Sequence, residues 1–537
     1  MFEAQDIKCI VISLLLMILN TIGIHSQPLS IEWQQCYGGN KYDIGYSIAK
    51  TNIGYLVLCG TSSNDGNVIG NHGKSDYWVL NIDSLGNILW SKTYGGSEDD
   101  IASQMLPLSH KEYILFGSTS STDGDVTGLH GGYDFWIVSI DSIGNKMWQK
   151  PYGGSCTDLA NKICMSSDSD YFCIGYSCST DGDVTGNKGI YDLWILKLRR
   201  DGSIKWERSL GSSNIDWGQC ATATSNGGVI IGGLTTFVDG DVQCSLHGSC
   251  DSWVLKLDST GQILWQHCYG GSNDENVNGI VATNDGGYIF VGQTDSNDGN
   301  VSGNHGAEDV WVVKIDSLGN LIWQHCFGGS QMESASFIKQ SIDGNYYIGG
   351  STFSNDGDVT GNHSLYPYFQ DMWLLKITPQ GDLLWQICFG GEGDEFLNDL
   401  LELPSGRIML LGSTTTDNNS GDVNCNLHGP GTQDVWLISC KDTTLSYIKK
   451  NNGRINVISV FPNPADQMLI FKSNDHSLTD ELNIKIFNSF GILVKTLVFE
   501  NNNTEISWIT ENVCQGLYYY LIQCNSFQEF GKIILLR

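Results

Sequence analysis

Two recurring sets of carboxylates are the first residues in this sequence whose type and spacing could do chemistry. One set lies in Asp-Gly-Asp/Asn turns that include Asp123 and Asp125, Asp181 and Asp183, Asp239 and Asp241, Asp298 and Asn300, and Asp356 and Asp358. Calcium takes six to eight oxygen ligands, and such a turn supplies several within three residues. These ten residues are therefore candidate calcium ligands. The turns lack the full EF-hand spacing, and an Asx-turn alone explains an Asp-Gly pair.

The second set follows a [YF]-G-G-S segment, with an acid four residues after its second glycine: Asp43, Asp100, Asp158, Asp216, Glu275, Glu333 and Glu395. These acids read in two ways, as a collar for a cation or ligand, or as carboxylates accepting backbone N–H bonds from the glycine turn. A single active site should break a repeat, and these residues obey it, so the turn-holding role is the better expectation. His72, His130, His247, His305, His363 and His428 recur after the Asp-Gly turns, with Lys188 in the same place once. Each precedes the Asp of an Asp-x-Trp segment. A local His–Asp or His–backbone bond in each copy is expected, because zinc needs three or four converging ligands. No Ser-His-Asp or Cys-His nucleophile set stands out from the repeat positions.

The elements that position these residues follow from the tryptophans, of which there are 16 in 537 residues. Trp33, Trp90, Trp148, Trp206, Trp265, Trp323 and Trp385 form one series at intervals of about 58 residues. Trp78, Trp136, Trp194, Trp253, Trp311, Trp373 and Trp436 form a second. A fixed period of this size is the mark of a repeat architecture. Residues 278–283, 287–294, 309–315 and 321–327 show one unit: four β-branched and aromatic runs separated by Asn, Asp and Gly. Four antiparallel strands repeated around a ring predict an all-β fold, a seven-bladed β-propeller. No segment carries the 3.6-residue period of a helical solenoid.

Label the strands of each unit a to d. The seventh unit ends at its c strand, 434–440, while residues 29–37 form a d strand with no predecessors. The N-terminal strand is therefore expected to complete blade seven and to remove the open edges. In such a ring the d–a and b–c loops share one face, which carries both acid sets. Departures from the repeat on that face are Trp217, the loop holding Cys244 and Cys250, and the aromatic insertion at 365–370.

Composition limits the partners. The chain has 59 acidic against 29 basic residues, a net charge of −30, and no Lys/Arg cluster to hold nucleic acid or an anionic membrane. Residues 9–24 form an apolar run short for a span and suited to a secretory leader, with removal expected after Ser26. No later stretch is apolar enough to span a membrane, and a monomer is expected. Of 17 cysteines, Cys36, Cys268, Cys326, Cys388 and Cys440 occupy repeated core positions and read as buried thiols. Cys164 with Cys173, Cys244 with Cys250, and Cys514 with Cys524 are candidate disulfides.

Domain bounds follow: leader 1–26, propeller 27–441, linker 442–454, and a small β domain 455–537. In the last, Pro462, Asn463 and Pro464, then Gly491, then Gly516 and Tyr518, then Gly531 and Lys532 resemble the motifs of the C-terminal sorting domain of the type IX secretion system of Bacteroidota. That resemblance implies an Ig-like β-sandwich read by the export machinery, and hence a secreted or surface-held protein. Separately, the hairpin 258–265 (DSTGQILW) is similar to the tryptophan-docking repeat of quinoprotein propellers and to the Asp-box of sialidases. Both matches are off by one residue, so neither a quinone cofactor nor a glycosidase activity is carried over. The expected function is a non-enzymatic binding propeller contacting glycan or protein through its acidic face. The alternative is a secreted hydrolase or lyase acting on glycan at that face.

Overall fold

The computed structural model describes residues 27–442, apart from 110, 365, 418 and 430, together with most of the strand residues between 458 and 535. The chain divides into two compact units, Met1–Thr444 and Leu445–Arg537. Among the described residues of the first unit, seven four-stranded antiparallel sheets follow one another. Blade one is Asp43–Lys50, Gly54–Thr61, Asp76–Asp83 and Ile88–Tyr94, in that order across the sheet. Blade seven is Glu395–Glu402, Arg407–Thr414 and Asp434–Asp442, with Leu29–Tyr37 as its outer strand. The ring is closed by its own N-terminus, as the strand count predicts.

The two tryptophan series have separate roles. The c-strand series is fully buried between blades. Its indole N–H donates to a d-strand side chain: Trp136 to Gln149 at 2.7 Å, Trp311 to Gln324 and Trp373 to Gln386 at 2.9 Å. The same glutamines donate onward to the b–c loop, as Gln324 Nε2 does to Ser302 O at 3.1 Å. A core residue thereby holds the loop face in place. The d-strand series lies under the c–d turn of the next blade. A Cβ on Gly261, which has φ of +83°, would stand 3.1 Å from Trp206, so glycine is needed there both for the backbone and for the indole. Trp206 Nε1 also donates to Ser259 O of that turn at 3.0 Å.

Strand a carries the second regular feature. Its pairing with strand b slips by one residue at Tyr46, Ser103, Asn161, Gln219, Ser336 and Asn398. A β-bulge turns one side chain out of the alternation. These six residues, with Asn278 in blade five, line the central channel.

In the second unit, Ile458–Phe461, Met468–Ser473 and Glu505–Ile509 form one sheet. Leu482–Asn488, Leu493–Phe499, Gly516–Gln523 and Gln528–Leu535 form another. Leu469 and Phe471 from the first sheet pack with Ile484, Ile486 and Ile533 from the second, giving a two-layer β-sandwich. Gly516 and Tyr518 pair with Leu535 and Ile533, and Lys532 and Gly531 oppose Tyr519 and Tyr520. Pro462, Asn463, Pro464 and Gly491 lie outside the described residues, as do residues 1–26 and 443–457.

Candidate functional site

The seven acids at the start of strand a are closed off from solvent, with exposures of 0–2 %. Each holds the glycine turn of its own d–a loop. Gly39 N donates to Asp43 at 2.8 Å, Gly96 N to Asp100, Gly154 N to Asp158 and Gly329 N to Glu333 at 2.7 Å, and Gly391 N to Glu395 at 2.9 Å. In blade four Ser212 takes the glycine's place and donates to Asp216 at 2.6 Å, and in blade five Gly271 donates to Glu275 at 2.8 Å. Hydroxyls at or just past the end of strand b complete the shell, as Ser63 Oγ does for Asp43 at 2.8 Å and Thr352 Oγ1 for Glu333 at 2.7 Å. Burial raises the pKa of Asp43 and Asp100 to about 6 and of Glu395 to about 7. The carboxylates face the turn glycines and hydroxyls, the turn-holding geometry of the two readings.

All six histidines bond through Nδ1, and two of them also approach a second acid through Nε2. Nδ1 meets the buried Asp at the start of the following c strand, from His72–Asp76 at 2.6 Å to His247–Asp251 at 2.8 Å. Nε2 of His305 lies 3.9 Å from Asp358 and that of His363 3.5 Å from Asp422, each in the next blade. Lys188 fills the same role in blade three, its N–H on Asp192 at 2.9 Å and its Nζ on Asp241 at 2.5 Å.

The Asp-Gly turns are also tied down. Ser97 N donates to Asp123 and Ser155 N to Asp181, both at 2.7 Å, and Ser213 N donates to Asp239 at 2.6 Å. Ser272 N and Ser330 N donate to Asp298 and Asp356 at 2.7 Å. The second residue of each turn faces the first loop glycine: Gly95 N to Asp125, Gly153 N to Asp183 and Gly328 N to Asp358 at 3.4 Å, and Gly211 N to Asp241 and Gly270 N to Asn300 at 3.2 Å. Asp125 also pairs with Lys146 at 2.6 Å. Among the described residues, no group of three or more His, Cys, Asp or Glu is arranged to hold a metal ion.

The disulfides differ from those expected. Cys36 and Cys268, read as buried thiols, are bonded to Cys425 and Cys244, with Cα–Cα distances of 5.6 and 5.4 Å. Cys156 is joined to Cys178. Cys164 and Cys173 are free because Cys173 pairs with Ile163 in the register, which puts the two cysteines on opposite faces of the blade. Cys250 is free because Cys244 is taken. Cys326, Cys388 and Cys440 are buried thiols as expected. Cys514 and Cys524 lie outside the described residues. A signal was present: Cys244 and Cys425 stand where other blades have a left-handed loop glycine, and a Cβ at Gly70 or Gly128 would face the matching d-strand residue, Thr93 at 3.3 Å or Pro151 at 3.7 Å.

Besides the exposed acids of the Asp-Gly turns, such as Asp123, Asp181 and Asp356, the loop face presents aromatic side chains. Tyr366 and Tyr368 of the blade-six insertion are 60 % and 79 % exposed, and Phe237 of blade four is 50 % exposed. Deeper along strand a, the channel holds a cavity of about 250 Å³ into which Lys162, Lys339 and Asp399 reach. Lys339 is ion-paired with Asp399 and donates to Leu400 O at 2.6 Å. Burial lowers the pKa of Lys162.

Comparison with known proteins bears on the two units unequally. Residues 459–536 match the secretion system C-terminal sorting domain family. Regulatory protein FlaEY of Caulobacter vibrioides is 25 % identical over 250 residues, which is 43 % of this chain and 25 % of that protein. The chain thus spans about a quarter of that relative's length. Among solved structures, a puromycin hydrolase mutant aligns with a TM-score of 0.36 at 9 % identity, over 70 % of this chain and 50 % of that one. A glucose dehydrogenase aligns with a TM-score of 0.33 at 11 % identity, over 60 % and 95 %. The tail match carries the assignment: this is a seven-bladed propeller with a type IX secretion sorting domain, exported to the cell surface or beyond.

Proposed function

We propose that the propeller is a non-enzymatic binding module, delivered by its tail and contacting glycan or protein through the d–a and b–c loop face. One observation carries this reading. The repeated acids of that face are spent on holding loops, while the residues that break the repeat there are exposed aromatics, Tyr366, Tyr368 and Phe237. Exposed aromatic side chains on rigidly held loops are the anchors of protein and carbohydrate contacts. One oxygen of each turn carboxylate accepts a backbone N–H, so a calcium ion at these turns would draw on the other oxygen.

The alternative, a glycan hydrolase or lyase, would draw on acids titrating near neutrality. Glu395 has such a pKa, about 7, but its exposure is 0 %. A glycan and protein array probed with the full chain tests the reading, followed by hydrolysis assays on every hit. Binding without turnover, weakened by Tyr366→Ala with Tyr368→Ala, is expected. Turnover of a hit would replace it with the enzymatic alternative.

A further inference from the structure

The mouth of the channel on the loop face is not symmetric. The residue after the buried acid of strand a is Ile44, Ile101 or Leu159 in blades one to three, Trp217 in blade four, polar Asn276 and Ser334 in blades five and six, and Phe396 in blade seven. Trp217 does not stand alone. Its ring stacks on that of Tyr176 from the end of strand b in blade three, centroids 5.0 Å apart and planes inclined by 21°. Tyr191 meets Tyr176 edge-on at 5.5 Å. The three rings form a braced platform across two blades.

The platform borders a cavity of about 430 Å³ whose other walls include Asn161, Gln219, Asn278 and Ser336. That volume falls within the roughly 300–1,000 Å³ of small-molecule sites. Asn161 Nδ2 donates to Gly218 O at 2.7 Å and Asn278 Nδ2 to Ala335 O at 2.9 Å, so both amides are fixed by the neighbouring blade. Two polar atoms are left over: Trp217 Nε1, a donor, and Gln219 Oε1, an acceptor, are each buried and without a hydrogen-bond partner. Each is an unmet hydrogen-bonding group beside the cavity, and a ligand that turns either side chain outward supplies the missing bond.

We infer that this mouth is a subsite for a neutral saccharide, one sugar ring lying against the Tyr176–Trp217 wall with its hydroxyls toward Gln219, Asn278 and Ser336. The chemistry selects that class. No charged side chain lines the mouth itself, in a chain of net charge −30; Lys162, Lys339 and Asp399 belong to the deeper cavity that shares Asn161, Gln219, Asn278 and Ser336 with it. One wall is a flat apolar surface and the opposite one offers amides and hydroxyls. A sugar ring, apolar on its face and dense in hydroxyls at its edge, matches both walls. The inference rests on the loop-face binding reading and names its ligand class.

The test uses the full chain and two probe sets in calorimetry: neutral cello-, manno- and xylo-oligosaccharides, and anionic oligogalacturonate. At least one neutral probe is expected to bind, with oligogalacturonate silent. Trp217→Ala should weaken that binding by about tenfold or more. Trp217→Phe keeps an aromatic wall but removes Nε1–H, and Gln219→Ala removes the unpaired acceptor; each should give a smaller loss with an unchanged melting curve. Leu318→Ala, at an exposed c–d turn on the opposite face, should bind as the parent does. Silence from every neutral probe, or full affinity in both Trp217 variants, overturns the inference. If array ligands are lost on Tyr366→Ala with Tyr368→Ala while Trp217→Ala still binds them, the subsite fails and the loop-face reading stands. If no ligand of any kind binds the loop face, both fail.

Discussion

Cys36, in the outer strand of blade seven, is bonded to Cys425 of the same blade's loop, 389 residues later in the sequence. The bond fastens the strand that closes the ring, which is also held by Trp436 Nε1 donating to Gln34 at 2.9 Å and by Arg407 on Glu32 at 2.7 Å. Cross-links over long loops restrict the unfolded chain most, with typical gains of about 2–4 kcal/mol. Cys36→Ser should lower the unfolding free energy of the propeller by about 3 kcal/mol in denaturant titration. Adding Cys425→Ser should then cost almost nothing further. Two independent losses that sum would show that the bond is not made.

Stability should fall as pH rises from about 5 to about 8. Burial holds Asp43, Asp100 and Asp192 at about 6 and Glu395 at about 7, above their unfolded values. A raised folded pKa means that the native state binds the proton more tightly, so the stabilisation is full below the unfolded pKa and is lost as pH climbs through the folded one. His363 and His428, raised mainly by hydrogen bonds to Asp371 and Asp434, act with the same sign. Asp285, held at about 2 chiefly by Lys314 against the opposing effect of burial, acts with the opposite sign but only below about pH 4. Melting temperatures across this range should decline most steeply near pH 6–7; a flat or rising profile would contradict the acid geometry.

Gln324→Ala strips the acceptor from the buried indole N–H of Trp311 and releases Ser302 in the b–c loop. An unpartnered buried donor costs about 1–3 kcal/mol, which should appear in equilibrium unfolding. Faster amide exchange around Ser302 should accompany it, because loop and indole share one glutamine. Loss of stability without any change at the loop would separate the two roles.

Chelation with EDTA should leave the melting temperature unchanged. Asp123, Asp181, Asp298 and Asp356 each accept a backbone N–H at 2.7 Å, and those bonds shape the turns without an ion. A rise in melting temperature on adding calcium would assign the remaining carboxylate oxygens to the metal.

The ring was legible because blade packing imposes one indole position per strand pair, and equal environments recur at equal spacing. Closure followed from one missing and one surplus strand. The disulfides were not legible from position alone: Cys268 occupies the same core site as Cys326, and only the replacement of a loop glycine by Cys244 tells them apart. Trp217 stood out as a break in the repeat, but its partner did not. Tyr176 sits in a different blade, 41 positions earlier in the numbering, and their contact exists only once the lateral stacking of blades is known.

The first strand of the ring and its last three are neighbours in one sheet. A chain released before residue 442 would lack part of that sheet, leaving bare strand edges open to other chains. The sheet of blade seven is therefore complete only when both ends of the propeller have been made and lie in the same compartment.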